Sequence, residues 1–184
     1  MKNNWHFPEN TGGEFDGSTD AGIEYFAGNP YSSIAREVIQ NSLDAKSGTP
    51  IKVYFDLIKV KKSEFPDIAG LRKSIGSSIQ QAQKLSEDRF VSFLEKSQEL
   101  LSNPQILCLR IADTNTVGLR GPCELPHPFF AFVKARGQSI KPSDTAGGSY
   151  GIGKHAPFSL SDLRTIFVSS SYKENGKYIN IAQG

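Results

Sequence analysis

The stretch SIAREVIQNSLDAKSG, residues 33–48, combines the apolar spacing of a helix with three side chains that can do chemistry. At about 100° per residue along a helix, Glu37, Asn41 and Asp44 fall within an arc of about 60°, and apolar residues such as Ile34 cluster on a different side. Most such polar rows are solvated faces, and spacing alone favours that interpretation. Exposed faces, however, usually carry paired charges of opposite sign, which this row lacks.

A second candidate is Asp113, which follows the predicted strand QILCLRIA, residues 105–112. A carboxylate in this position can accept a hydrogen bond from an exocyclic amine such as that of adenine. Asn115 and Gly118 follow it, and both residue types suit backbone with positive φ. The alternative is that Asp113 caps its own turn, which is a common arrangement for aspartate.

A third candidate is the segment GGSYGIGKHAPF, which places Gly148, Gly151 and Gly153 before a helix predicted at about 153–160. Glycines let the backbone approach a phosphate, the N-terminus of a helix offers free N–H groups, and Lys154 adds a cation. The spacing matches neither the dinucleotide-binding fingerprint, which follows a strand, nor GxxxxGK[ST]. Taken alone, the glycines fit a flexible loop equally well.

Helices and strands that could position these residues are predicted on both sides of each motif. The helix that carries Glu37 is predicted to start at an N-cap at Ser32 or Ser33 and to end near Lys46. The other predicted elements are a short helix at 19–27, a strand at 51–60, a two-helix insert at 61–103, a short helix at 127–136 and strands at 163–172 and 178–184.

Composition narrows the classes of protein to which the chain can belong. A length of 184 residues suits one domain with a hydrophobic core, and 38% hydrophobic with 22% charged residues is typical of a globular chain. The net charge of +2 gives no support for a nucleic-acid footprint. No apolar run approaches the roughly 20 residues that cross a bilayer. Cys108 and Cys123 lack a metal-binding spacing, so we expect free thiols in a reducing compartment, the cytoplasm.

In this order, the three motifs resemble those of the GHKL ATPases, the family of gyrase B, Hsp90, histidine kinases, MutL and the MORC proteins. REVIQNSLDA resembles the N-box E-x-x-x-N-x-x-D-A, DTNTVGL resembles the G1 box and GGSYGIGK resembles the G2 box. The resemblance spans roughly residues 31–184 and is closest to the Hsp90-, MutL- and MORC-like modules. It implies a Bergerat fold: an α/β chain arranged as an α+β two-layer sandwich, with a mixed, mostly antiparallel sheet and helices on one face.

The resemblance also implies a role for each matched residue. Glu37 would orient or deprotonate the attacking water, Asn41 would hold Mg²⁺ against the phosphates, and Asp113 would read the adenine amino group. Lys141 would reach the phosphates when the lid closes, or else stay solvated. The other implied nucleotide contacts are Asp44, Ala45, Gly118, Leu119, Gly148, Ser149, Tyr150, Gly151, Ile152, Gly153 and Lys154.

As a whole, residues 1–184 would form a single ATP-binding domain, with the insert at 61–103 and an ATP lid at 114–150. The implied activity is Mg²⁺-dependent ATP binding with slow hydrolysis that drives lid closure and dimerisation, in a DNA-repair or phage-defence protein. The alternative is an ATP-binding switch with little or no hydrolysis. The implied partners are ATP, a second copy of the chain, and downstream domains or a protein partner; nucleic acid is left open and a membrane is not expected.

Besides the helical insert at 61–103, which is unusual for the family, the chain departs from the family pattern in two respects. The G1 box usually reads D-x-G-x-G, whereas here Asn115 replaces the first glycine and Gly118 comes one position late. The family also has a later strand with a threonine that supports the adenine site, and no candidate follows YINIAQG. We therefore expect the chain to be the N-terminal part of a larger protein.

Overall fold

The structure is a computed structural model that describes residues 5–7, 18–135 and 152–184. It belongs to the predicted α+β class. Its α-helices are α1 (Ala21–Ala27), α2 (Pro30–Asp44), α3 (Ile68–Lys84), α4 (Asp88–Leu100), α5 (Pro128–Val133) and α6 (Ala156–Leu160), and its strands are β1 (Lys52–Lys61), β2 (Gln105–Thr114), β3 (Val168–Glu174) and β4 (Lys177–Gln183). Short 3₁₀ helices cover Lys62–Glu64 and Gly153–His155. Among the described helices, none is both long and apolar enough to pass through a bilayer.

The described strands form two two-stranded sheets, β1 with β2 and β3 with β4. The resemblance implies one larger mixed sheet instead. The confirmed part of the fold prediction is therefore the α+β class. The chain divides into two compact units, one comprising residues 1–18 and 55–111 and the other residues 19–54 and 112–184.

The first unit contains the insert, whose two predicted helices are present as α3 and α4. The two helices pack against each other. Their apolar spacing buries one side of each, and the core of the unit is formed by Phe65, Leu71, Ala82, Leu94, Leu101 and Ile106. The Asp67 carboxylate caps α3 by accepting a hydrogen bond from the Gly70 N–H at 3.1 Å. The indole N–H of Trp5 donates to the Pro66 carbonyl at 3.0 Å, which ties the N-terminal residues to this unit.

The second unit contains the three motif regions and the hairpin of β3 and β4. The strands pair in antiparallel register from Val168 with Gln183 to Glu174 with Lys177. Asn175 and Gly176 both take positive φ, 48° and 78°, as a two-residue hairpin turn requires. The predicted turn at ENGK is therefore present.

The strand predicted from residue 163 begins only at Val168. Before it, the Ser161 hydroxyl donates to the Thr165 carbonyl at 3.0 Å and accepts from the Thr165 N–H at 3.1 Å. Arg164, between them, has a φ of 48°. This closed loop satisfies backbone groups that a strand would leave for a neighbour, so the β-branched pattern there does not extend the sheet.

The start of α2 also differs from the prediction. The helix begins at Pro30 instead of at an N-cap at Ser32 or Ser33, and its N-cap residue, Asn29, makes no side-chain capping bond. Proline is favoured in the first turn because its φ is already helical and its missing N–H would have no helical partner there. The serines therefore lie inside the first turn of α2.

Candidate functional site

Helix α2 carries the predicted polar row beside one of its two buried residues. Asn41 and Asp44 are exposed and Glu37 is half-buried, whereas Ile34 is only 4% exposed. Ile34 lies about 20° from Asn41 in helical projection, so the packed side of α2 begins at the edge of the polar row. The packed side is narrower than the sequence indicated, because Ile39 was predicted to belong to it and is 46% exposed.

The carboxylate of Glu37 lies against the backbone of Gly153. A Cβ atom placed on Gly153 would collide with Glu37 Oε2 and lie 3.0 Å from Glu37 Cδ. This contact follows from the packing of α2 against α6, the helix directly after the Gly153–His155 turn. The predicted water-activating residue and a glycine of the predicted phosphate loop are thus brought together, with no space for a side chain between them.

The carboxylate of Asp113 is held by two hydroxyl groups. Ser42, on α2, donates from Oγ to Asp113 Oδ2 at 2.8 Å, and Thr116 donates from Oγ1 to Oδ1 at 3.1 Å. The Thr116 bond is local and corresponds in part to the turn-capping alternative. The Ser42 bond joins residues 71 positions apart and places Asp113 directly beside the helix that carries Asn41.

The segment after Asp113 is bonded to the end of α2. Asn115 has a φ of 63°, its carbonyl accepts from the Ser47 N–H at 2.9 Å, and its side-chain amide donates to the Pro50 carbonyl at 2.6 Å. The Val117 N–H donates to the Ala45 carbonyl at 2.8 Å. Asparagine therefore performs the turn for which the family motif uses glycine, because it tolerates positive φ and adds a side-chain bond.

Gly118 and Leu119 are fixed against β3. Gly118 has a φ of 68°, and a Cβ atom there would lie 2.8 Å from Ser170 Oγ. The Leu119 N–H donates to Ser170 Oγ at 2.8 Å. Gly118, which comes one position later than in the family pattern, thus lies where both its positive φ and the close approach of Ser170 favour glycine.

The predicted lid, 114–150, is only partly described. In its described part, Phe129 in α5 is fully buried and its N–H donates to the Arg120 carbonyl at 2.9 Å, whereas Leu125 is 62% exposed. Five predicted nucleotide contacts lie outside the described residues, namely Lys141, Gly148, Ser149, Tyr150 and Gly151. Of the three in the glycine segment that the structure describes, Gly153 lies against Glu37, Ile152 is 39% exposed and Lys154 Nζ lies 3.5 Å from the Ala131 carbonyl oxygen.

The candidate ligand Asn41 suits a cation that keeps most of its bound water molecules. Within residues 18–135 and 152–184, no three His, Cys, Asp or Glu side chains group as metal ligands would. Mg²⁺ typically binds through one or two protein oxygens, several waters and the phosphates of its substrate. The exposed amide of Asn41, one helical turn from Glu37, fits that mode of binding.

Sequence reasoning did not identify Ser42, Thr116 or Ser170 as parts of the site. Ser42 carried a usable signal, because its position on α2 is about 140° from Glu37, on the packed side. A hydroxyl buried to 2% exposure must find a partner, and the single O–H proton of Ser42 lies within reach of two acceptors, the Val38 carbonyl at 2.9 Å and the Asp113 carboxylate at 2.8 Å.

Replacing Ser42 by alanine is expected to lower the free energy of unfolding by about 1 kcal/mol, because Asp113 loses a buried hydroxyl donor. A double-mutant cycle with Asp113→Ala, measured by urea denaturation, isolates the pair. We expect a coupling free energy of about 1 kcal/mol. Strictly additive effects would contradict the contact.

Comparison with known protein families, curated proteins and solved structures yields no match to this chain. The functional conclusion therefore depends on the residues of the second unit and their contacts.

Proposed function

We propose that the chain binds ATP with Mg²⁺ and hydrolyses ATP slowly, as an ATPase of the GHKL type with a Bergerat-like fold. The observation that carries this proposal is that one helix contacts two other motifs. Glu37 of α2 touches Gly153, and Ser42 of the same helix bonds Asp113. Segments far apart in the sequence therefore contact the same helix, at positions about 140° apart around it, and in this proposal one nucleotide spans the two contacts.

Asp113 is suited to select adenine. Its two carboxylate oxygens accept hydrogen bonds from hydroxyl groups, which fixes the plane of the carboxylate and leaves further lone pairs to accept. An ionised carboxylate can only accept, so it attracts the exocyclic amine of adenine. Guanine presents a carbonyl oxygen at the corresponding position, and two acceptors facing each other are unfavourable.

Asn41 and Glu37 are suited to the phosphate end of the same nucleotide. When bound, Mg²⁺ would neutralise charge on the phosphate oxygens. The amide oxygen of Asn41 would bind the ion, and Asp44 would contact the surrounding waters. Glu37, one turn before Asn41, would orient a water molecule and accept its proton. Gly153, which has no side chain, would let its own backbone approach the phosphates closely.

Hydrolysis in this proposal drives closure of a lid and dimerisation in a cytoplasmic protein, with an output in DNA repair or phage defence. Partners beyond ATP would be a second copy of the chain and downstream domains or another protein.

The test of this function is nucleotide selectivity after Asp113→Asn. We expect affinity for ATP to fall by about 10- to 100-fold, because a hydrogen bond to a charged group contributes about 1.5–3 kcal/mol. Affinity for GTP should not fall, because the amide can rotate to present a donor to guanine. Calorimetric titration of the wild type and the variant with ATP and GTP measures the ratio.

Asn41→Ala is the matched control, since it changes the same site without touching the adenine end. It should keep the preference for ATP over GTP and lose the gain in affinity that Mg²⁺ gives the wild type. A wild-type protein that binds ATP no better than GTP, with and without Mg²⁺, would overturn the proposed function.

A further inference from the structure

His155 is held by the helix that precedes α2. Its Nδ1 atom lies 3.4 Å from Oδ1 of Asp20, and the His155 side chain is 24% exposed. The same Asp20 oxygen accepts from the Gly22 N–H at 2.8 Å and the Ile23 N–H at 3.1 Å, which caps α1. The Asp20 carboxylate therefore both caps the N-terminus of α1 and contacts the imidazole of His155.

The imidazole also lies close to the backbone of Gly22. A Cβ atom on Gly22 would lie 2.7 Å from His155 Cγ and 2.9 Å from both Cδ2 and Nδ1. These distances are far below an ordinary contact between carbon atoms, about 3.5–4.0 Å. Glycine in the first turn of α1 costs helix stability relative to alanine, by about 0.5–1 kcal/mol. The close approach of the imidazole gives a physical reason for glycine at this position.

The two ends of the 3₁₀ turn Gly153–His155 therefore contact different helices. Gly153, at its start, touches Glu37 of α2, and His155, at its end, touches Asp20 and Gly22 of α1. The turn has only three residues, and its last N–H donates to the Ile152 carbonyl at 2.9 Å. Because only Lys154 separates the two residues, we expect a displacement of the His155 backbone to move Gly153 relative to the Glu37 carboxylate.

We propose that α1 is a positioning clamp for the Gly153 turn, with His155 as the positioning residue through which it acts. The clamp sets the distance between the Gly153 backbone and the Glu37 carboxylate and thereby the rate of hydrolysis, in a proposal that rests on the ATPase function above. His155 needs no contact with nucleotide for this role. A change at α1 alters turnover and leaves the adenine contact of Asp113 in place.

The experiment compares Gly22→Ala, His155→Ala and the double variant in the full chain, with Gly28→Ala as the control. A Cβ atom on Gly28, at the end of the same helix, meets nothing within 4 Å. The first measurement is the amide resonance of Gly153 in a ¹⁵N-labelled sample without nucleotide. Gly22→Ala should shift this resonance, and the double variant, which removes the imidazole that the new methyl group strikes, should return it toward the His155→Ala position.

The second measurement is phosphate release and ATP affinity in the same four variants. Gly22→Ala should lower kcat by about 10-fold or more, since small displacements of catalytic groups have effects up to about 100-fold. The dissociation constant for ATP should stay near that of wild type, and the double variant should turn over no more slowly than His155→Ala.

The two measurements separate failure of the clamp from failure of the ATPase function. An unchanged Gly153 resonance in Gly22→Ala overturns the clamp whether or not ATP is hydrolysed. A shifted resonance with unchanged kcat overturns its effect on hydrolysis. A wild-type protein without ATP hydrolysis overturns the proposed function, and the resonance alone then decides whether α1 positions the turn.

Discussion

Replacing Glu37 by glutamine is expected to lower the rate of phosphate release by about 10²–10⁴-fold, the usual contribution of a general base. Glutamine keeps the length and volume of the side chain, so the contact with Gly153 and the packing of α2 against α6 should persist. It removes the group that can accept a proton from water. Affinity for ATP should be retained, because Asp113 and Asn41 are untouched. Single-turnover phosphate release and calorimetric titration measure the two quantities separately.

Glu95→Gln serves as the control, since Glu95 is an exposed residue of α4 in the insert and should leave both quantities unchanged. Comparison of the wild type with Glu37→Gln also distinguishes an ATP hydrolase from an ATP-binding switch. If the wild-type protein binds ATP with Mg²⁺ but releases phosphate no faster than Glu37→Gln, the chain is an ATP-binding switch. If Glu37→Gln abolishes binding, Glu37 has a structural role instead.

The elements whose pattern is local could be predicted from the sequence. The two insert helices and the β3–β4 turn at Asn175 and Gly176 follow from apolar periodicity and from residue types that tolerate positive φ. The errors arose where a local feature, a proline or a side-chain bond, overrides the pattern. Pro30 starts α2 ahead of the serines, and the Ser161–Thr165 loop delays β3 until Val168.

The candidate site was predictable in its residue types but not in its connections. Spacing on a helix is sufficient to align Glu37 with Asn41. The bond between Ser42 and Asp113 is not predictable in this way, because it depends on how α2 lies against the end of β2, 71 residues later. The same holds for the Ser170 hydroxyl that fixes Leu119. Periodicity indicates which side of an element is buried, whereas the partner on that side is set by tertiary packing.

Gly153→Ala provides the sharpest test of the contact between the two motifs. The new methyl group would occupy the position of the Glu37 carboxylate, which is the mobile end of a long side chain. The carboxylate should swing away while the fold persists, so the midpoint of thermal unfolding should change little. Turnover should fall by about 10²-fold, because a displacement of about 1 Å is enough for a loss of that size.

Combining Gly153→Ala with Glu37→Gln shows whether the glycine acts through the carboxylate. If it does, the second substitution adds almost nothing to the loss in kcat, because residues that act as a unit are strongly non-additive. Fully multiplicative losses would mean that Gly153 contributes by another route, such as direct contact of its backbone with the phosphates. The distinction is informative because alanine removes no functional group: any loss of turnover must come from the space that the methyl group takes beside Glu37 or in the path of the nucleotide.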